Sequence, residues 1–489
     1  MSDRPGAGSG RRHRPALRRA SAVAALAALF ASGCASVPRD AGISEVQRLV
    51  AERGGEPIEW DPAAPIAAPA SDAAVLPLLA GEVTVERAVE VALANNRGLR
   101  ATLEELGIAR ADLIAASTVR NPVFDFEIHF PGEPFRPYEA AVTKTLVDLL
   151  RLRGRRAAGR AAFEAARARV AGSVLAFAAR VRLDYYELQA AQQVLAQQRT
   201  VAEAAAAAAE LAMGQHQAGN VTDLDLEREQ ARYEGAKLDL ARAEVEEIAA
   251  RERLVADLGL LAPAPLTLPA PELPAGEERS AEQIEAALAA RLDVEMARAE
   301  VESARRGVPI ARADALDELA VGVHWDRESG GEHSRGPTAA IPIPLFDRGL
   351  AGRARAVAGL RRAEQRLWAA EVGARASARA ARERLLEARA RAEYLRDVVV
   401  PRRKRILALT QLEYNAMQRG PYDVLAARRE LADAEGQRAL ALRDYWAART
   451  GLDAVLSGAE AFSGGAGLAI ATGRGSGDGG MAEPAEAGH

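Results

Sequence analysis

The chain has 489 residues, a formal net charge of −4, 49% hydrophobic residues and only 4% aromatic ones. That charge balance gives no basis for binding nucleic acid. The single cysteine, Cys34, excludes an internal disulfide and any zinc site built from several thiolates. Alanine, arginine, glutamate and leucine at helical spacing favour long helices over a compact core.

Taken in chain order, the N-terminus reads first as a leader. Arg11, Arg12, Arg14, Arg18 and Arg19 precede an apolar stretch at 20–30. It is too short for a spanning helix, which needs roughly 20 residues, so residues 1–33 are set aside as a secretion signal. The stretch ends at Ala31-Ser-Gly-Cys34, which resembles a bacterial lipobox with Ala where Leu is usual. Cys34 is expected to carry a diacylglycerol anchor; the plainer alternative is a small residue beside a cleavage site. Under the lipobox resemblance, Ala35 implies sorting to the outer membrane. Residues 34–82, rich in Pro and Ala, read as a tether with one short helix at 43–53.

From there the chain says the same thing twice, about 195–200 residues apart. Residues 83–260 and 280–457 each read as helix, two short strands, a very long helix, a glycine turn and a medium helix. The linker is 261–279, and 458–489 is a Gly-rich, flexible tail. Ala140-Ala-Val-Thr-Lys-Thr-Leu-Val-Asp148 matches Ala339-Ala-Ile-Pro-Ile-Pro-Leu-Phe-Asp347. The turn at Gly219 matches the turn at Gly420, more loosely.

The strands fall at about 121–146 and 317–345. Phe124, Phe126, Ile128 and Phe130 alternate with Asp125, Glu127 and His129. Val321, Val323 and Trp325 alternate with Gly322, His324 and Asp326. Each strand approaches the roughly 9–11 residues of a tilted transmembrane strand. Pro342 and Pro344 are expected to end the last strand, read at 337–345, early or at a rim. Four strands cannot close a barrel, and hydrocarbon tolerates no open edge. Two chains would give eight strands and three would give twelve; a soluble sheet packed on helices is the alternative. His129 and His324 stand on the polar face as candidates for a wet lumen.

The helices are expected at 84–118, 149–219, 222–258, 280–315, 349–420 with a kink at Pro401, and 423–456. The longest, at about 65–70 residues, would extend roughly 100 Å. Such helices can bury an apolar stripe only side by side. Asp223, Asp225 and Asp423 stand in the first turns after Gly219 and Gly420, where the helix dipole favours carboxylates. No nucleophile elbow, phosphate-binding loop or metal-spaced His/Glu set is present. The chain is expected to be no enzyme and to need no cofactor or resident metal.

Three segments carry a resemblance: Leu183-Asp-Tyr-Tyr-Glu-Leu188, Pro342-Ile-Pro-Leu-Phe-Asp-Arg-Gly349, and Met417-Gln-Arg-Gly-Pro-Tyr-Asp-Val-Leu425 with Asp444-Tyr-Trp-Ala-Ala-Arg449. They resemble the TolC-type outer-membrane efflux protein family, and the last two its heavy-metal lipoprotein branch. The resemblance implies a mainly α chain with a small transmembrane β part. It also implies a homotrimer with a twelve-stranded barrel on a long α-helical barrel crossing the periplasm. The partners implied are a periplasmic adaptor, an inner-membrane pump of the resistance-nodulation-division type and outer-membrane lipid. Acidic residues near the turns would line a constricted periplasmic mouth, Asp423 first, then Asp225 and Asp223. The rival reading is a lipid-anchored coiled-coil adaptor or spacer without a channel; an adaptor would carry one hairpin, and this chain carries two.

Overall fold

The computed structural model describes residues 42–58, 75–130, 138–276, 278–312, 319–328, 331–343, 345 and 348–459. Cys34, the leader, Pro344, Asp347 and the tail beyond 459 lie outside them. In chain order the elements are α1 (Ile43–Ala51), α2 (Val85–Asn95), α3 (Arg97–Ser117), β1 (Val123–Ile128), β2 (Tyr138–Thr145), α4 (Val147–Gln217) and α5 (Asp223–Asp257). Then come α6 (Ala281–Leu288), α7 (Leu292–Arg312), β3 (Ala320–Arg327), β4 (His333–Ala340), α8 (Leu350–Tyr394), α9 (Val400–Asn415) and α10 (Pro421–Ser457). The chain is mainly helical. None of the described helices is long and apolar enough to cross a membrane.

Two compact units share the chain, and each draws on both repeats. The first takes Leu106–Glu164 and Ala299–Glu364, which include the four strands found among the described residues. The strands form one antiparallel meander, β1-β2-β3-β4, with β1 and β4 at the edges. The register puts Phe124, Val142, Val323 and Pro337 in one row, and Phe126, Ala140, Trp325 and Arg335 in the next. Apart from Arg335 these rows are apolar, yet they are exposed: Phe124 is 65% and Phe126 56% accessible. Phe124 and Phe126 stack with centroids 6.3 Å apart. Gly322 lies so close to β2 that a Cβ there would meet the Val142 carbonyl oxygen at 2.3 Å. The sequence placed the last strand at 337–345. The strand instead begins at His333 and stops at Ala340. Among the residues described beyond it, 341–343 form no strand; Pro342, which has no N–H for a ladder, accounts for the early stop.

The second unit takes Ile43–Glu105, Ala165–Arg298 and the chain from Gln365 onward. Its helices are held by narrow seams of small residues. In α8 the buried positions are Ala374, Ala378, Ala381, Leu385, Ala388 and Ala392, a strict alternation of four and three. That spacing is the heptad seam of helices packed side by side. Leu385, Ala388 and Ala381 share one cluster with Tyr445, Leu452 and Val455 of α10. Between α8 and α9, Leu395–Val399 forms a π turn. Pro401 enters the first turn of α9, where its missing N–H costs least.

Two helices expected to be continuous are broken. The stretch at 84–118 splits at Asn96, whose Oδ1 accepts the Leu99 N–H at 3.0 Å and so starts α3. Asn95 Nδ2 donates to the carbonyls of Leu258 and Gly259 at 2.8 and 3.0 Å, and Asn96 Nδ2 to that of Asp257 at 3.0 Å. The break therefore satisfies the open C-terminus of α5. The stretch at 280–315 splits before Arg291, which is 1% accessible and pairs with Asp293 through two bonds of 2.9 and 2.8 Å. At its start Ser280 and Gln283 form a capping box.

The linker is fixed by aromatics of both repeats. Tyr186 of α4 stacks on Trp446 of α10 at 5.1 Å. Trp446 Nε1 donates to the Glu272 carbonyl at 3.1 Å, and Tyr445 Oη donates to Glu278 at 2.7 Å. Tyr185 Oη donates to the Val83 carbonyl at 2.8 Å, beside the parallel bridge that joins Glu82 to Thr267. Replacing the partly buried Trp446 with Ala removes the stack and the hydrogen bond to the linker. It should lower unfolding stability by about 2 kcal/mol, read as a shifted midpoint of thermal or denaturant unfolding in detergent. Trp446→Phe, which keeps a ring and loses the N–H, should cost about 1 kcal/mol.

Candidate functional site

The residues singled out by sequence lie in two places, the polar face of the sheet and the two helix turns. On the sheet, the rows behind the apolar face are Asp125, Ala141, His324 and Gly336, then Glu127, Glu139, Asp326 and Ser334. His324 belongs to this face, with Cε1 3.2 Å from where a Cβ on Gly336 would sit. His129 comes just after β1, whose last residue is Ile128, and its Nδ1 lies 3.7 Å from Glu127 Oε1. The two histidines do not hold matching places. His324 is level with Asp125, four residues short of His129 along the sheet.

The first turn closes with two backbone bonds. The Gly219 N–H donates to the His216 carbonyl and the Asn220 N–H to the Gln215 carbonyl, both at 2.8 Å. Gly219 takes the left-handed conformation, φ 74°, as this type of helix end requires. In the second turn the same bonds come from Met417 to Tyr414 and from Gln418 to Glu413, both at 2.9 Å. Met417 therefore holds the left-handed place, φ 59°, and it is the non-glycine residue found there. Gly420, with φ −84°, is the N-cap of α10. The expected pairing of Gly219 with Gly420 is corrected accordingly: Gly219 corresponds to Met417, and Gly420 to Thr222, the N-cap of α5.

This shift makes Asp225 and Asp423 equivalents, each the third residue of its helix. The Asp225 N–H donates to Thr222 Oγ1 at 3.2 Å, and Thr222 Oγ1 donates to Asp225 Oδ2 at 2.7 Å. Asp423 Oδ2 accepts the Gly420 N–H at 3.1 Å. Asp223 opens α5, almost fully exposed, with Oδ1 3.5 Å from His216 Nε2. One bond was not anticipated: Tyr422 Oη donates to Gln215 Oε1 at 2.9 Å and ties the two turns of one chain. Its only sequence signal is its place between Pro421 and Asp423 in the quoted motif.

Asp184, from the motif that also supplies Tyr185 and Tyr186, meets the end of α5. Arg180 donates to both Asp257 oxygens, at 3.2 and 2.6 Å, and Arg253 lies 3.5 Å from Asp184. Burial raises the Asp184 pKa to about 6, helped by a hydrogen bond with Asp257 and by that carboxylate's charge, against Arg253 and Arg180. The folded chain thus holds a proton that the unfolded chain releases near pH 4. Stability from this group is present below that range and is lost as pH rises through about 6. Asp184→Asn should flatten the fall in melting temperature between pH 4 and 7 and raise it at pH 7, measured by calorimetry.

Residues 283–458 match the family model described as Outer membrane efflux protein. The chain is 25% identical over 392 residues, 77% of its length and 90% of the relative's, to the cobalt-zinc-cadmium resistance protein CzcC of Cupriavidus metallidurans. Its fold is similar to that of a membrane protein from Pseudomonas aeruginosa, with a TM-score of 0.64, 20% identity, and coverage of 82% of this chain and 99% of that one. It is similar as well to the outer membrane protein VceC from Vibrio cholerae, with a TM-score of 0.61, 16% identity, and coverage of 76% and 96%. The fold is that of the outer-membrane channels. Residues 283–458 are an outer membrane efflux protein domain, and the chain is the outer-membrane channel component of an efflux system and resides in the bacterial outer membrane.

Proposed function

We propose that three copies pool their strands into one twelve-stranded barrel and that their helices enclose a tunnel across the periplasm. The observation that carries this reading is the sheet itself. Its β1 and β4 edges are unpaired in one chain, and its apolar face is exposed. In hydrocarbon such edges must find partners, while exposed Phe and Trp side chains meet lipid at no cost. Four strands per chain and a wet lumen favour three copies over two.

The duct is passive, and a periplasmic adaptor and an inner-membrane pump of the resistance-nodulation-division type drive it. The relative's name points to divalent heavy-metal cations as cargo. Asp225 and Asp423, equivalent in the two turns, narrow the periplasmic mouth and favour cations, with Asp223 beside them. The domain plan follows: signal 1–33, tether 34–82, repeats 83–260 and 280–457 joined by 261–279, and a tail from 458.

Native mass spectrometry in detergent should give a trimer, and single-channel recording in planar bilayers should show cation-selective conductance. Asp225→Ala with Asp423→Ala should raise conductance or lower cation selectivity. A stable conducting monomer would overturn the shared barrel, and unchanged currents in the double variant would leave the two aspartates as helix caps only.

Lipid on Cys34 supplements the strands as an anchor, at roughly 0.8 kcal/mol per buried CH₂. Labelled palmitate should enter the wild-type protein and be lost in Cys34→Ser; equal labelling of both would reject lipidation at this residue.

A further inference from the structure

At the end of the sheet where β1 leaves and β2 begins, the register sets three carboxylates in one row across three successive strands. Glu127 faces Glu139, and Glu139 faces Asp326. Like charges directly opposite each other weaken a strand pair. Ser334, the next residue of the row, donates to Asp326 through its hydroxyl. His129 adds a ligand of a different kind, its Nδ1 3.7 Å from Glu127 Oε1. One ligand atom from each of Glu127, His129 and Glu139 lies within 4.8 Å of the other two. A mere solvated acidic surface would have neither the imidazole nor carboxylates forced into opposition by backbone pairing.

We propose that Glu127, Glu139 and His129 form a binding site for a divalent transition-metal cation of the zinc class, with Asp326 placed to supply a further oxygen. A cation removes the repulsion along the row. The imidazole decides the class, because nitrogen with carboxylate oxygen suits zinc-like ions, whereas calcium and magnesium prefer oxygen alone. Three protein ligands leave positions open to water, so the ion exchanges readily. His324 is outside the site, since its ring lies over Gly336 on the β4 side. The site stands on the sheet of one chain; only its position inside a lumen rests on the channel reading.

The test uses the full-length, untagged protein in detergent, stripped with a chelator and titrated with Zn²⁺ by calorimetry and with Co²⁺ by visible absorption. The expected result is one site per chain whose affinity falls at least tenfold in His129→Ala and in Glu139→Gln and is unchanged in His324→Ala. Excess Ca²⁺ should not displace the metal. Equal Zn²⁺ binding by wild type and His129→Ala, or displacement by Ca²⁺ at matched concentration, overturns the proposal. All three side chains are exposed, so the variants should fold. Their conductance, recorded in parallel, separates failure of the site from failure of the channel reading.

Discussion

A heptad-spaced seam of alanine methyls is the constraint on which the helical part depends. The run from Ala374 to Ala392 in α8 buries five alanines and one leucine. Each methyl removed from water contributes little, about 0.8 kcal/mol per carbon group. Cohesion therefore accumulates over length, and short helices of this composition would not hold. Small side chains also let backbones approach closely, so the spacing between helices is set by residues that cannot change rotamer. Alternating steps of three and four then keep the seam facing its neighbour over many turns.

Seams of this kind resist separation but specify position weakly, since one alanine resembles the next. Position comes from the sparse large and polar groups. Tyr186 on Trp446, Tyr445 on Glu278 and Arg291 on the Val455 carbonyl each join segments distant in sequence. The Asn95-Asn96 pair does the same for the end of α5. Most of these contacts lie where helices break or where the linker crosses, the places at which a uniform seam could slip.

Much of the fold was legible because periodicity is a direct record of burial. Long proline-free runs gave α4, α5 and α10 nearly to the residue, and alternation gave β1 and β3. What was hidden depends on tertiary partners. Nothing local distinguishes Asn95-Asn96 in a helix surface from a pair that caps another helix 160 residues away. Arg291 reads as a solvated charge until its burial is known. The turn equivalence failed because glycine was taken as the marker of a left-handed residue, and in the second turn Met417 bears that conformation instead. For the sites, the sequence supplied the aspartates and histidines as candidates. The register that sets Glu139 between Glu127 and Asp326 was not recoverable, because one residue of slip sends every side chain to the other face.

The π turn at Leu395–Val399 adds a residue to a helix otherwise wound on a seven-residue repeat. On the side before it, the apolar stripe of α8 is spent within the chain. On the side after it, Ile406, Leu409, Leu412 and Tyr414 of α9 lie open, and Val400 alone among the residues of that helix is buried. The inserted residue acts as a phase shifter. Past it the helix still runs beside α10, but its apolar side chains turn out of the buried seam, so burial ends where the repeat loses its phase.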